Sequence, residues 1–150
     1  MKVNFVCTGN TCRSPMAAAI FKRRMLDIGR VDFICDSSGL AAAEGHPASA
    51  NAIQVCEEIG LDLSQHLSHR LRGKDMVKTN LFVVMEPIHQ QILVEAGIAP
   101  GQVYVLGGGI ADPFGKDIDA FRACRDEIEA AMPALEHFVR NEAAEAFKNI

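Results

Sequence analysis

The chain has 150 residues, 49% of them apolar and 23% charged, and a formal net charge of −4. That balance suits one globular domain over residues 1–150 with a substantial core, and it argues against nucleic acid or an acidic membrane surface as a general partner. No apolar run approaches bilayer length, the N-terminus has no secretory pattern, and none of the five cysteines forms a Cys-x-x-Cys pair, so free thiols in a reducing cytoplasm are expected.

In chain order, the apolar run Lys2–Cys7 predicts a first strand, and Ser14–Gly29 predicts a helix closed by Gly29. Ser14 is a candidate cap for that helix and Pro15 suits its first position. Val31–Ser37 predicts a second strand stopped by Ser38-Gly39. Pro47–Ile59 predicts a helix that gathers Ala48, Ala52, Val55, Cys56 and Ile59 on one side before Gly60. The basic run Arg70–Lys74 reads as a solvated helix start. Leu81–Met85 is continuously apolar, as a central parallel strand covered on both faces should be. A helix over Pro87–Ala96 and a short strand over Val103–Leu106 follow, then Gly107-Gly108-Gly109 leads into a loop that carries Asp112. Asp117–Lys148 reads as mostly helical, with Pro133 marking a kink or a break. Strands alternating with helices imply right-handed crossovers and an α/β fold. The expected architecture is an open four-stranded parallel sheet with helices on both faces, a flavodoxin-like three-layer arrangement.

The most specific signal lies between the first strand and the first helix, where residues 7–14 read Cys-Thr-Gly-Asn-Thr-Cys-Arg-Ser. A cysteine at the end of a strand meets a tight loop that opens into a helix, so backbone N–H groups and the unsatisfied first helical turn converge on one point. Gly9 and Asn10 tolerate the backbone conformations such a loop needs. Arg13 adds a planar fork able to grip two phosphate oxygens. The same field favours a thiolate at Cys7, so one loop can bind a phosphate through Thr8, Gly9, Asn10, Thr11, Cys12, Arg13 and Ser14 and also attack it. Ligands of open parallel sheets sit beyond the carboxyl ends of the strands, and Asp112 follows the fourth strand at that same edge.

Val6–Ala17 resembles the phosphate-binding loop of the low-molecular-weight protein tyrosine phosphatases, and Asp112-Pro113-Phe114 matches the downstream motif of that family. The resemblance spans the whole chain. It implies that Cys7 attacks phosphorus, Arg13 and the loop amides hold the non-bridging oxygens, and Asp112 protonates the leaving group and then activates water. Ser14 is expected to donate its hydroxyl to the Cys7 sulfur. Asn10 resembles the family asparagine that braces the loop through a serine and a histidine, with Ser37 and His66 in matching contexts. Phe114 stands where the family walls the substrate ring with an aromatic, and a second aromatic wall is not expected in a chain with one tyrosine and no tryptophan. No metal or other cofactor is implied, since Arg13 and the amides neutralise the phosphoryl charge, and His46, His69, His89 and His137 show no ligand spacing. The implied partner is a phosphorylated protein, with inorganic phosphate as product and the enzyme monomeric or weakly self-associating.

Family breadth favours phosphotyrosine as substrate by a narrow margin. Thr11, where many tyrosine-specific relatives carry an apolar residue, favours the protein-arginine phosphatases of the bacterial branch, as do Phe114 and Gly115. An arsenate reductase needs further cysteines positioned to resolve an adduct, and 74–95 contains none. A non-catalytic phosphate-binding module needs no aspartate acid. Cys12 lies five positions from Cys7 in the same loop, and the resemblance implies that it captures an oxidised Cys7 as a reversible disulfide. A Cys12→Ala protein is then expected to lose activity irreversibly in peroxide, measured as activity regained on thiol addition; recovery equal to that of the unmodified protein contradicts the pairing.

Overall fold

The computed structural model describes residues 1–143. Four strands form one parallel sheet in the order β2-β1-β3-β4: β1 is Lys2–Cys7, β2 Ile34–Gly39, β3 Leu81–Val84 and β4 Val103–Val105. Five helices connect or follow them: α1 over Arg13–Asp27, α2 over Ala50–Glu57, α3 over Gly73–Lys78, α4 over Pro87–Glu95 and α5 over Ile118–His137. The expected three-layer α/β architecture is observed.

Alternation along the central strands divides the core in two. Val3, Phe5, Leu81 and Val83 face one side, where α1 supplies Met16, Ile20 and Phe21 and α5 supplies Phe121, Ile128, Met132 and Leu135. Val6, Phe82, Val84 and Val103 face the other, against Leu93 of α4 and Met76 of α3. Period-2 side-chain direction makes both faces apolar, which is why β3 reads as an unbroken hydrophobic run. Phe5 packs on Phe21 at 5.4 Å between ring centroids, and Phe21 meets Phe33 edge-on at 5.6 Å.

Several boundaries depart from expectation, each for a physical reason. The second strand begins at Ile34 instead of Val31 and runs through Ser38-Gly39, because it pairs residue for residue with all of β1, from Lys2↔Ile34 to Cys7↔Gly39. Residues 30–33 are used in returning from α1, with Arg30 bonded to Asp32. Helix α1 starts at Arg13, so Ser14 is already inside it and does not cap it; its hydroxyl turns instead towards Cys7. Helix α2 starts only at Ala50, capped by the Ser49 side chain accepting from the Ala52 N–H, while Pro47 forms a bridge to Leu67. Pro133 neither breaks nor ends α5. It sits on the exposed face, where water can satisfy the carbonyl that a proline leaves unpaired. After α5 the chain makes a π-type turn over Phe138–Ala143, and the part of the expected helix at 144–148 lies outside the described residues.

Parallel pairing brings the carboxyl ends of β1, β3 and β4 to one edge. From that edge emerge the loop 8–12, the Met85-Glu86 step into α4 and the segment that carries Asp112.

Candidate phosphate-binding site

The loop after β1 curls around its own cysteine. Asn10 is fully buried and is the one non-glycine residue with positive φ, at 59°, among the described residues. That conformation turns its backbone N–H onto Cys7 Sγ at 3.3 Å. Its side chain then does three things at once. Nδ2 donates to Ser14 Oγ at 2.8 Å and to Ser37 Oγ at 3.0 Å, while Oδ1 accepts the His69 backbone N–H at 2.8 Å. The Asn10 carbonyl lies 2.7 Å from His66 Nε2. Ser14 Oγ accepts from Asn10, and its one hydrogen has two acceptors in reach, Cys7 Sγ at 3.0 Å and the Ser38 carbonyl at 3.4 Å, the sulfur being the nearer. The structure therefore brings together Cys7, Asn10, Ser14, Ser37 and His66, the group singled out in the sequence.

Neighbouring segments hold the rest of the loop. The amides of Leu40 and Ala41 donate to the Cys7 and Thr8 carbonyls, and the amide of Ser49 to the Thr11 carbonyl. Gly39 is required by this packing: a Cβ there would stand 2.6 Å from the Thr8 carbonyl oxygen and 3.0 Å from the Asn10 nitrogen.

Arg13 is 2% exposed, yet its charge is compensated. One terminal nitrogen donates to Glu86 Oε2 and to the Ile110 carbonyl, both at 2.9 Å, and the other lies 3.4 Å from Asp112 Oδ2. A buried guanidinium is tolerated only with such partners. Asp112 is in turn oriented by accepting the Phe114 N–H at 3.0 Å. A pocket of about 210 Å³ opens over the loop, lined by residues 7–13 with Asp112 and Phe114. Phe114 is 72% exposed and is, among the described residues, the only aromatic on its wall, while Tyr104 packs against Phe138 elsewhere.

Cys12 is the one other cysteine on the pocket lining. Cys12 is buried with Sγ 3.6 Å from Ser49 Oγ, and desolvation pushes its thiol up. Burial also raises Cys35 to about 11 and Cys56 and Cys124 to about 12, and none of the three lines the pocket.

Sequence reasoning missed Glu86, His89 and His69. His89, set aside for want of metal spacing, is buried with Nε2 3.1 Å from Thr8 Oγ1. Desolvation, and then the Arg13 guanidinium, hold its imidazole below the usual range. A polar Glu86-x-x-His89 pair directly after a central strand, at the edge where ligands collect, was the available signal.

The description "Low molecular weight phosphotyrosine protein phosphatase" belongs to the family model that matches residues 2–145, and the chain is a member of that family. It is 36% identical to a protein-arginine-phosphatase of Geobacillus stearothermophilus over 94% of this chain and 97% of that protein. It is 31% identical to arsenate reductase 1 of Staphylococcus epidermidis over 91% and 96%. The crystal structure of a low molecular weight protein tyrosine phosphatase from T. tengcongensis superposes with a TM-score of 0.86 at 33% identity, covering 91% of this chain and 98% of the other.

His69 gives the support of this loop a pH dependence. Its Nε2 is 2.8 Å from Asp75 Oδ2 and its Nδ1 3.3 Å from Glu44 Oε2, so two carboxylates, Asp75 foremost, raise its pKa. A raised histidine contributes stability fully below its unfolded pKa and loses it as pH climbs through the folded value. The ring is partly exposed, so the effect is a screened one. Thermal unfolding of His69→Gln should therefore fall short of the unmodified protein most at about pH 6 and least at about pH 9; a gap that widens with pH contradicts the assignment.

Proposed function

We propose that this chain is a cysteine-dependent protein phosphatase that acts on phosphoarginine in preference to phosphotyrosine, in a reducing compartment that keeps Cys7 free. In the first step the Cys7 sulfur attacks phosphorus in line, forming S–P as the bond to the leaving atom breaks. Arg13 and the loop amides take up the charge on the three non-bridging oxygens. Asp112 gives its proton to the departing atom, Ser14 steadies the sulfur, and Asn10 with Ser37 and His66 keeps the loop curled. In the second step Asp112, now a carboxylate, takes a proton from water. The water oxygen bonds to phosphorus, S–P breaks, and inorganic phosphate leaves.

The observation that carries the substrate preference is the make-up of the pocket wall. Thr11 presents a hydroxyl, Asp112 a carboxylate and Phe114 a single aromatic face. A guanidinium suits this set: its N–H groups can be accepted by Thr11 and Asp112, and its plane can lie on Phe114. It also has to depart protonated, which gives a general acid a direct role. The sequence left the two substrates close; the Thr11 hydroxyl and the Asp112 carboxylate beside the Phe114 ring support phosphoarginine. Phosphotyrosine is the second reading, supported by the exposed face of Phe114, on which a phenyl ring can stack. Against arsenate reduction stands the placement of Cys35, Cys56 and Cys124 away from the pocket.

Phosphate release from matched phosphoarginine and phosphotyrosine peptides tests this reading. The unmodified protein should show the higher kcat/KM on phosphoarginine, Cys7→Ser should release none, and Asp112→Asn should lose about 10²–10⁴ in kcat. Thr11→Ile should move the preference towards phosphotyrosine by about tenfold or more. A ratio that Thr11→Ile leaves unchanged contradicts the proposed role of the hydroxyl, and absence of Cys7-dependent release contradicts the phosphatase itself.

A further inference from the structure

The Glu86-x-x-His89 pair opens α4 and belongs to none of the motifs that carry the proposed chemistry, yet it packs against the phosphate loop. His89 is 3% exposed. Its Nε2 stands 3.1 Å from Thr8 Oγ1 and 3.6 Å from Glu86 Oε2, and its Nδ1 is buried with no hydrogen-bond partner. These contacts fix the tautomer. Nε2 faces two oxygens, one of them on a carboxylate, so it carries the hydrogen; a lone pair in that place would oppose the Glu86 charge. A hydrogen on Nδ1 would also leave a buried donor without an acceptor, which folded proteins rarely keep. The charged groups around the ring are Arg13 from α1, Glu86 on α4 and Asp112 from the segment after β4. Desolvation and the Arg13 guanidinium both work against a charge on the ring.

With Nε2–H donating, Thr8 Oγ1 is an acceptor and its own hydrogen is left for another partner. The Thr8 carbonyl is already taken by the Ala41 N–H, and the residue is exposed on the pocket lining beside Cys7. We propose that His89, backed by Glu86, is a positioning residue that turns the Thr8 hydroxyl hydrogen into the pocket, where it donates to an oxygen of the bound phosphoryl group. The loop then contributes a side-chain donor at the residue next to the nucleophile, in addition to its amides and Arg13. The assignment rests on the phosphatase reading of this pocket. It also explains why a histidine is buried here: a neutral ring donates to Thr8 without adding a second cation beside Arg13.

Inorganic phosphate is the probe, its affinity followed by titration calorimetry for the unmodified protein, Thr8→Val, His89→Leu, His89→Gln and the double variant Thr8→Val/His89→Leu. Thr8→Val keeps the shape of an exposed side chain, and loss of one hydrogen bond to a charged group should weaken phosphate about tenfold. His89→Leu should cost about the same, because it acts through Thr8, and the double variant should bind no more weakly than either single one. His89→Gln keeps an N–H donor and should stay within about threefold of the unmodified protein. Unchanged affinity in Thr8→Val, multiplicative losses in the double variant, or a Gln variant as weak as Leu would each overturn the assignment. Should His89→Leu not fold, Thr8→Val and His89→Gln decide it alone. Failure of the phosphatase reading is distinguishable, because it shows as no Cys7-dependent release from phosphopeptides whatever the calorimetry gives.

Discussion

The site depends on one residue held in a conformation most side chains avoid. Asn10 sits at φ 59°, fully buried, and its three side-chain hydrogen bonds and one carbonyl contact run to Ser14, Ser37, His69 and His66. Left-handed backbone is unfavourable for most residues, and asparagine tolerates it because its short amide can bond locally. Here each polar atom of the amide is used, so the bonds that stabilise the conformation are the same ones that tie the loop to β2 and to the 66–69 segment. The reward is at the backbone: the Asn10 N–H is turned onto the Cys7 sulfur.

The sheet makes this arrangement available and limits it. Cys7 is rigid because β1 is central and pairs along its length with β2. The last pair of that ladder, Cys7↔Gly39, sets Gly39 directly under the loop, where the Thr8 carbonyl would meet any Cβ. Arg13, in the first turn of α1, is buried against the ends of β3 and the 110–112 segment, so its partners Glu86, Ile110 and Asp112 come from separate parts of the chain. A desolvated cation anchored at several points changes little in orientation when an anion arrives, which is the preorganisation that electrostatic catalysis requires.

Most of the fold and the central site were legible in the sequence, for identifiable reasons. Cys7, Arg13 and Ser14 share a contiguous motif whose strand–loop–helix punctuation is local, and the central strands β1 and β3 announce themselves through apolar runs. Boundaries set by pairing were less legible: β2 ends where β1 ends, and nothing within Ser37-Ser38-Gly39 states that. Pro133 reads as a kink or a break, and the helix runs through it without breaking because the cost depends on whether the orphaned carbonyl faces water, a tertiary fact. Glu86, His89 and His69 act on the loop from 59 to 81 positions away in sequence, through contacts that only the packed sheet creates. Histidine spacing, judged for metals, carried no information about them.

Phosphate binding by Asn10→Gly tests the central role of that residue most directly, because glycine accepts positive φ and removes only the side-chain bonds. The account predicts a folded protein whose affinity for inorganic phosphate falls by about a hundredfold, from loss of several bonds that order the loop. An Asn10→Gly protein that binds phosphate within about twofold of the unmodified one would show that the loop keeps its shape without the asparagine, and would contradict the account.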